Sequence, residues 1–289
     1  MRDDVPIRWN RPIFVASMGR SGSTLLQRVL NVHPQVTIWG EHGGFLSGLL
    51  ESYDALAEPM TARNLEEGNR SKNDVVGELA DKGSFKPWVS PFAPVDAEDQ
   101  IRDMVLGLFT DGLDPSIRWG FKEIRYSRAE LATLMTMFPE AHMVILARDF
   151  RGFAQSRFFA FGNTSFDFDS DEGREAARKR LSKMSRSWIR RYRGLLAVAK
   201  QHSERASVIA YNDLVAGSPR PGELFHELGE EPPSASAIDD VLSAVAGSSF
   251  RFNNAARDNR ETLVGLIDEA KINWAAHERL GTRLGCSAQ

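Results

Sequence analysis

The sequence predicts an α/β fold in three layers, a mostly parallel sheet of about five strands flanked by helices. Three observations carry this expectation. Short apolar runs of strand type alternate with longer helical patterns along 289 residues, and helices between such strands imply right-handed crossovers that leave the strands parallel. The apolar runs are nearly continuous instead of alternating, which suits strands covered on both faces. At Ile13–Thr24 (IFVASMGRSGST) an apolar run breaks into a Gly/Ser-rich turn and a helical pattern follows at once.

In chain order, the first strand is Ile13–Ser17, and the helix after the turn is Thr24–Asn31, with Leu25, Leu26, Val29 and Leu30 on one side. Val36–Trp39 is the second strand. Helical patterns over Ala97–Phe109 and Arg128–Met137 flank a third strand, Arg118–Lys122. His142–Ala147 is the fourth, with a helix beginning near Arg151. Gly173–Gln201 reads as a long helix rich in arginine and lysine, and Ser207–Tyr211 as the fifth strand.

Two segments break this rhythm. Residues 51–96 are polar and end in SFKPWVSPFAPV, which predicts an insertion or flap. Residues 158–173 (FFAFGNTSFDFDSDEG) alternate aromatics with glycine, asparagine and acids; they suit either the cover of a binding pocket or satellite packing. Residues 216–289 form a helical C-terminal part that includes an amphipathic stretch with Leu263, Ile267, Ile272 and Trp274.

At 42% hydrophobic, the chain 1–289 reads as a single domain with one large core. A net charge of −3 offers no global field for nucleic acid or anionic membrane, so basic residues act locally and neither partner is expected. The single cysteine, Cys286, cannot form an internal disulfide and reads as a tail residue. The opening MRDDVPIRWNRP has charge and proline where a signal peptide needs an apolar stretch, and no run approaches the ~18 apolar residues of a membrane span. A cytoplasmic protein is expected. Without an H-x-E…C-x-x-C, HExxH or clustered-aspartate pattern, no catalytic metal is expected either.

The Gly/Ser turn has the chemistry of a phosphate cradle. Backbone N–H groups and the positive end of a helix surround an anion in such a turn, and Gly19 and Gly22 allow close approach and unusual φ. Arg20, Ser21, Ser23 and Thr24 can add side-chain donors. A Walker A loop places lysine directly after its last glycine; here Ser23 follows Gly22, and the positive charge sits at Arg20. This P-loop-type variant resembles the 5′-phosphosulfate-binding loop of sulfotransferases that use 3′-phosphoadenosine 5′-phosphosulfate (PAPS). G-R-S-G-S-T-L-L is close to the form of the bacterial and tyrosylprotein branches.

A second constellation follows the strand HMVILA, where Arg148 stands at the strand end and Ser156 on the next helix. A guanidinium gives two parallel charge-assisted bonds to a phosphate, and a hydroxyl supplies a third. The pair resembles the 3′-phosphate motif of sulfotransferases, an arginine after a strand with a serine eight residues later. ATP lacks that phosphate. Taken alone, Arg148 suits an ion pair with Asp149 or Glu123. V-I-A-Y-N-D-L-V at 208–215 resembles the family's Y-E-D-L segment, with Asn212 in place of the acid. The resemblance puts Tyr211 beside the adenine; a core tyrosine at a strand end is the competing reading. Around 248–257 (SSFRFNNAAR), the nearest counterpart of the cytosolic R-K-G-x-x-G-D-W-K segment, Ser249, Arg251 and Arg257 stay open as nucleotide contacts.

The resemblance runs from about Ile13 to Val215 and implies metal-free, in-line transfer of a sulfuryl group from PAPS, with adenosine 3′,5′-bisphosphate (PAP) as product. The acceptor would be a hydroxyl or amine on a small molecule, sugar, lipid or phenol. Such a transfer needs an aligned acceptor, a base, and positive charge at the leaving phosphate. Glu41, in V-T-I-W-G-E-H-G-G, is similar in context to the base of tyrosylprotein sulfotransferases and stands at the same separation from the loop arginine. His42 is its rival, because cytosolic members use a histidine. Lys122, in W-G-F-K-E-I-R, matches a lysine that contacts the bridging region in the family. With Arg20 it is expected to stabilise the departing phosphate; a surface ion pair with Glu123 and Arg125 is the alternative. A P-loop nucleotide kinase or ATPase and a catalytically silent nucleotide-binding protein of the same fold are the remaining readings.

Overall fold

Five strands, β1 (Ile13–Ser17), β2 (Val36–Trp39), β3 (Arg118–Glu123), β4 (His142–Ala147) and β5 (Ala206–Ala210), pair in parallel in the order β2-β3-β1-β4-β5. The computed structural model describes residues 5–56, 94–158, 167–215, 217–247 and 260–286. Its α-helices are α1 (Ser23–Leu30), α2 (Ser47–Leu56), α3 (Pro94–Thr110), α4 (Arg128–Met137), α5 (Phe150–Phe158), α6 (Asp171–Gln201), α7 (Arg220–Glu227), α8 (Ala235–Gly247), α9 (Arg260–Glu269) and α10 (Trp274–Arg283).

The period-two alternation of β1 divides two cores. Ile13 and Val15 pack with Leu26, Val29, Leu224, Phe225 and Leu242 of α1, α7 and α8. Phe14 and Ala16 belong to the larger opposite core with Trp119, Phe121, Leu134, Trp188 and Tyr192. All five residues of β1 are buried, as the continuous apolar run requires for a central parallel strand. Because β1 connects toward one edge of the sheet and β4 toward the other, their adjacent carboxyl ends form a topological switch point, where ligands bind in open parallel sheets.

Local signals set the helix starts. Ser127 and Glu130 form a capping box on α4, Ser170 accepts from the Gly173 N–H at the head of α6, and Asn273 accepts from the Ala276 N–H at the head of α10. Only the two ends of the segment expected as an insertion or flap, 51–96, fall among the described residues. Residues 51–56 continue α2, which Leu46 and Leu50 anchor in the core, and 94–96 open α3; residues 57–93 lie outside the described residues. The strand expected over Ser207–Tyr211 ends at Ala210, because Tyr211 opens a 3-10 turn, Tyr211–Asp213.

The segment expected over 158–173 divides likewise. Phe168 packs on Phe158 with ring centroids 6.0 Å apart and α6 starts at Asp171, whereas 159–166 lie outside the described residues. Cys286 is no loose tail residue: it is buried against the end of α10, its N–H donates to Gly281 O at 2.8 Å, and burial pushes its thiol up to about 12. Among the described residues, no helix is long and apolar enough to cross a membrane.

Two buried histidines give the fold an acid limit. His142 shares a 2.8 Å hydrogen bond with Ser207, and His277 another with Ser185, with Phe150 and Trp188 around its ring. Burial pushes both imidazoles from 6.5 down to about 4. The folded state therefore binds fewer protons than the unfolded chain, so this stability is complete above the unfolded pKa and is lost as pH falls through 6.5 toward 4. Urea midpoints are expected to fall between pH ~7.5 and ~5 by an amount worth on the order of 2 kcal/mol per histidine. A flat profile in the His142→Asn, His277→Asn double variant assigns the effect to these two side chains. An unchanged slope refutes it.

Candidate functional site

The turn after β1 begins with the Ser21 N–H bonded to Met18 O at 3.1 Å. Arg20, at φ +73°, is the one non-glycine in the left-handed region among the described residues, a strained conformation of the kind that clusters at binding sites. Gly22 follows at φ +92°, and its carbonyl accepts from Leu25 and Leu26 to start α1. The N–H groups of Ser23 and Thr24 head the first turn and have no intrahelical acceptor. Thr24 is exposed and Ser23 buried.

Ser21 departs from the expectation. Its side chain is fully buried and its hydroxyl lies 3.0 Å from that of Tyr192, which itself donates to Leu146 O at 3.2 Å. The Tyr192 proton is engaged on the carbonyl, so the Ser21 proton goes to Tyr192. Ser21 therefore anchors the turn to the core and offers no side-chain donor to an oxyanion.

Positive charge gathers around this turn. Burial first, then the neighbouring charges of Arg148 and Arg157, hold the Arg20 guanidinium below its ordinary pKa. Arg157 reaches the same place from α5: its Nη1 would stand 3.9 Å from a Cβ on Gly19. Arg148, at the end of β4, has its Cζ 4.2 Å from the centroid of the Tyr211 ring and its Nη1 3.5 Å from Arg20 O. Its Nε is buried without a hydrogen-bond partner among the described residues, and no described carboxylate pairs with it. The ion pair with Asp149 or Glu123 that its sequence position allowed is not made: Asp149 caps the Gly152 N–H at 2.7 Å, and Glu123 is committed elsewhere. Ser156 sits half-buried on α5, ~9 Å along the helix from Phe150.

Tyr211 is half-buried and packs against the core of α1, α7 and α8, at its edge. One ring face carries Arg148, and the Cδ2–Cε2 side rests on Gly22, where a Cβ would lie 2.6 Å from Cε2 and closer still to Cδ2. Residues 248–257 lie outside the described residues.

On the other side of β1, Glu41 and Lys122 meet. Glu41 Oε1 is 2.6 Å from Lys122 Nζ and Oε2 is 3.1 Å from Arg125 Nη1. Lys122 is 4% exposed, so the surface ion pair with Glu123 and Arg125 does not form; its partner is Glu41. Glu123 is buried instead among donors: the N–H groups of Ile124, Arg125 and Gly44 at 2.8, 3.1 and 3.0 Å, and Arg125 Nη1 at 2.9 Å. Burial alone would raise its carboxyl, but those donors hold it below the usual range. Arg125 thus spans from the buried Glu123 to Glu41 and fixes the latter's position. His42, the rival base, is packed among Phe45, Phe109 and Phe121, with Nε2 2.5 Å from the Tyr126 hydroxyl. Burial lowers its pKa, and the Glu123 charge opposes that effect.

The residues that hold these groups were missed in the sequence because they come from the far helix α6. Trp188 Nε1 donates to Arg148 O at 3.0 Å, Arg191 donates to Ser17 O at 3.1 and 3.0 Å and to Tyr126 O, and Tyr192 holds Ser21. The spacing 188, 191/192, 195/196 places them with Leu195 and Leu196 on one helical face, a signal that hydrophobic periodicity carries but that an arginine at 191 obscures.

The family model described as the sulfotransferase family matches residues 12–220, well over half of the chain. No functionally curated protein matches the chain. Among solved structures, the sulfotransferase domain from the Synechococcus PCC 7002 olefin synthase is 17% identical, with 96% of each chain covered and a TM-score of 0.51. The sulfotransferase domain from the curacin biosynthetic pathway is 16% identical, covering 96% of this chain and 99% of that one, with a TM-score of 0.50. At these identities the likeness is one of fold.

Proposed function

Because the chain belongs to the sulfotransferase family, we propose that it transfers a sulfuryl group from PAPS to a hydroxyl or amine acceptor, with Glu41 as general base. The observation that carries this reading is the convergence of Arg20 and Arg148 on the β1/β4 switch point, with a buried, unpartnered Nε on Arg148. Like charges gathered beside a helix N-terminus call for an anion, and two arginines leaving neighbouring strands suit an anion at each end of one nucleotide.

In this reading the Ser23 and Thr24 N–H groups and Arg20 hold the 5′ anion, while Arg148 and Ser156 hold the 3′-phosphate. The donor supplies the sulfuryl group: an O–S bond forms at a hydroxyl acceptor, or an N–S bond at an amine, as the S–O bond to the nucleotide 5′-phosphate breaks. Glu41 takes the acceptor's proton on a carboxylate oxygen, and Lys122 offsets charge on the departing phosphate. The 2.6 Å contact between Glu41 and Lys122 supports pairing the base with a cation in this reading. His42, engaged with Tyr126, is the poorer base. A cytoplasmic setting and a small-molecule, sugar, lipid or phenolic acceptor belong to the same proposal.

Thermal shift tests the donor. Adenosine 3′,5′-bisphosphate at ~100-fold over its Kd is expected to add about 2.7 kcal/mol of apparent stability, and Mg-ATP much less. Equal shifts would return the site to the kinase reading.

A further inference from the structure

Among the described residues, neither a carboxylate nor a close hydrogen bond holds Arg148 at its tip. Its Nε is buried without a hydrogen-bond partner among those residues, and its Nη1 reaches Arg20 O only at 3.5 Å. What fixes it is the Tyr211 ring, 4.2 Å from its Cζ. A cation over an aromatic face is attracted most strongly when both are desolvated, as a buried Nε indicates here. The same ring rests on Gly22, occupying the space that a Cβ would fill. Its backbone is tied as well: Leu214 N–H donates to Tyr211 O at 3.0 Å, and Asp213 accepts from the Ala210 N–H at 3.3 Å.

We infer that Tyr211 is a positioning residue that couples the two anion seats and sets the preference for a 3′-phosphorylated nucleotide; this rests on the sulfotransferase reading of Arg148. The ring is the wall shared by the turn before α1 and the arginine after β4. Any shift of Gly22 moves the ring, and any shift of the ring moves the guanidinium. An anion that orders the α1 N-terminus therefore presets Arg148 for the second phosphate. A tyrosine that merely stacked on the base would strengthen every adenine nucleotide alike. A tyrosine that holds Arg148 acts on the 3′-phosphate alone.

The readout is the ratio of affinities for adenosine 3′,5′-bisphosphate and adenosine 5′-phosphate, measured by calorimetry. Tyr211→Phe keeps the ring and is expected to keep the wild-type ratio within about twofold, whereas Tyr211→Leu lowers it by ~5–30-fold. On an Arg148→Ala background, Tyr211→Leu is expected to change the ratio no further, the non-additivity that marks two residues acting as one. Should Tyr211→Leu fail to show a folded circular dichroism spectrum, Tyr211→Gln carries the same expectation. An unchanged ratio in the Leu variant, or an equal loss with and without Arg148, overturns the inference. A wild type that does not favour the bisphosphate sinks a different claim, the assignment of Arg148 to the 3′-phosphate.

Discussion

Glu41→Gln is expected to lower kcat by ~10²–10⁴-fold, the range for loss of a positioned general base, with affinity for adenosine 3′,5′-bisphosphate retained. The substitution keeps the size of the side chain and an oxygen that can accept from Lys122, so the 2.6 Å contact has a neutral successor. What disappears is the capacity to take a proton. The charge balance shifts too: Lys122 and Arg125 lose a shared anion, which makes the crevice more positive and favours an anionic nucleotide if it changes binding at all. A fall in kcat together with a matching loss of nucleotide affinity would mean that Glu41 serves the architecture of the site and not proton transfer. His42→Gln provides the contrast. That imidazole is packed against three phenylalanine rings and bonded to Tyr126, so its loss is expected to cost stability first and rate much less. Should His42→Gln reduce kcat more than Glu41→Gln, the two roles are reversed.

The parts of this site that sequence reading reached are those whose information is local. The run IFVAS, the glycines of the turn and the apolar HMVILA before Arg148 each lie within one element and its exit, so residue type and spacing specify them. Arg128–Met137 matches its helix at both ends because a capping box marks the start. Contacts between distant segments were not legible. Ser21 looks like an oxyanion donor until Tyr192, 171 residues away, takes its hydroxyl. Lys122 sits three residues from the exposed cation Arg125 and next to an acid, a pattern that reads as a surface pair. Only the placement of β3 beside β1, with Val15 opposite Lys122, buries it and turns it toward Glu41. Helix α2 did carry a local signal, since Leu46, Leu49, Leu50 and Tyr53 recur at helical spacing and pack on the core, but the polar stretch that begins at Glu51 drew its second half into the expected insertion.

Gly22→Ala is expected to cost ~2–4 kcal/mol of stability and to abolish the shift that adenosine 3′,5′-bisphosphate produces. Two effects add at this position. An alanine at φ +92° pays the left-handed penalty of about 1–2 kcal/mol, and its Cβ enters the space of the Tyr211 ring, 2.6 Å from Cε2. Gly112 separates them. It has φ +75° in the turn after α3, with nothing within 4 Å of a built Cβ, so Gly112→Ala carries the backbone term alone. The excess at Gly22, read from urea midpoints of the two variants, is the resistance of the ring. If the ring yields, its face moves relative to the guanidinium 4.2 Å from its centroid, and Arg148 loses that support as the first seat is distorted. Equal costs at the two glycines would mean that Tyr211 swings aside freely. Neither Gly22 nor Arg148 would then depend on it, and the two anion seats would be independent structures that happen to share a crevice.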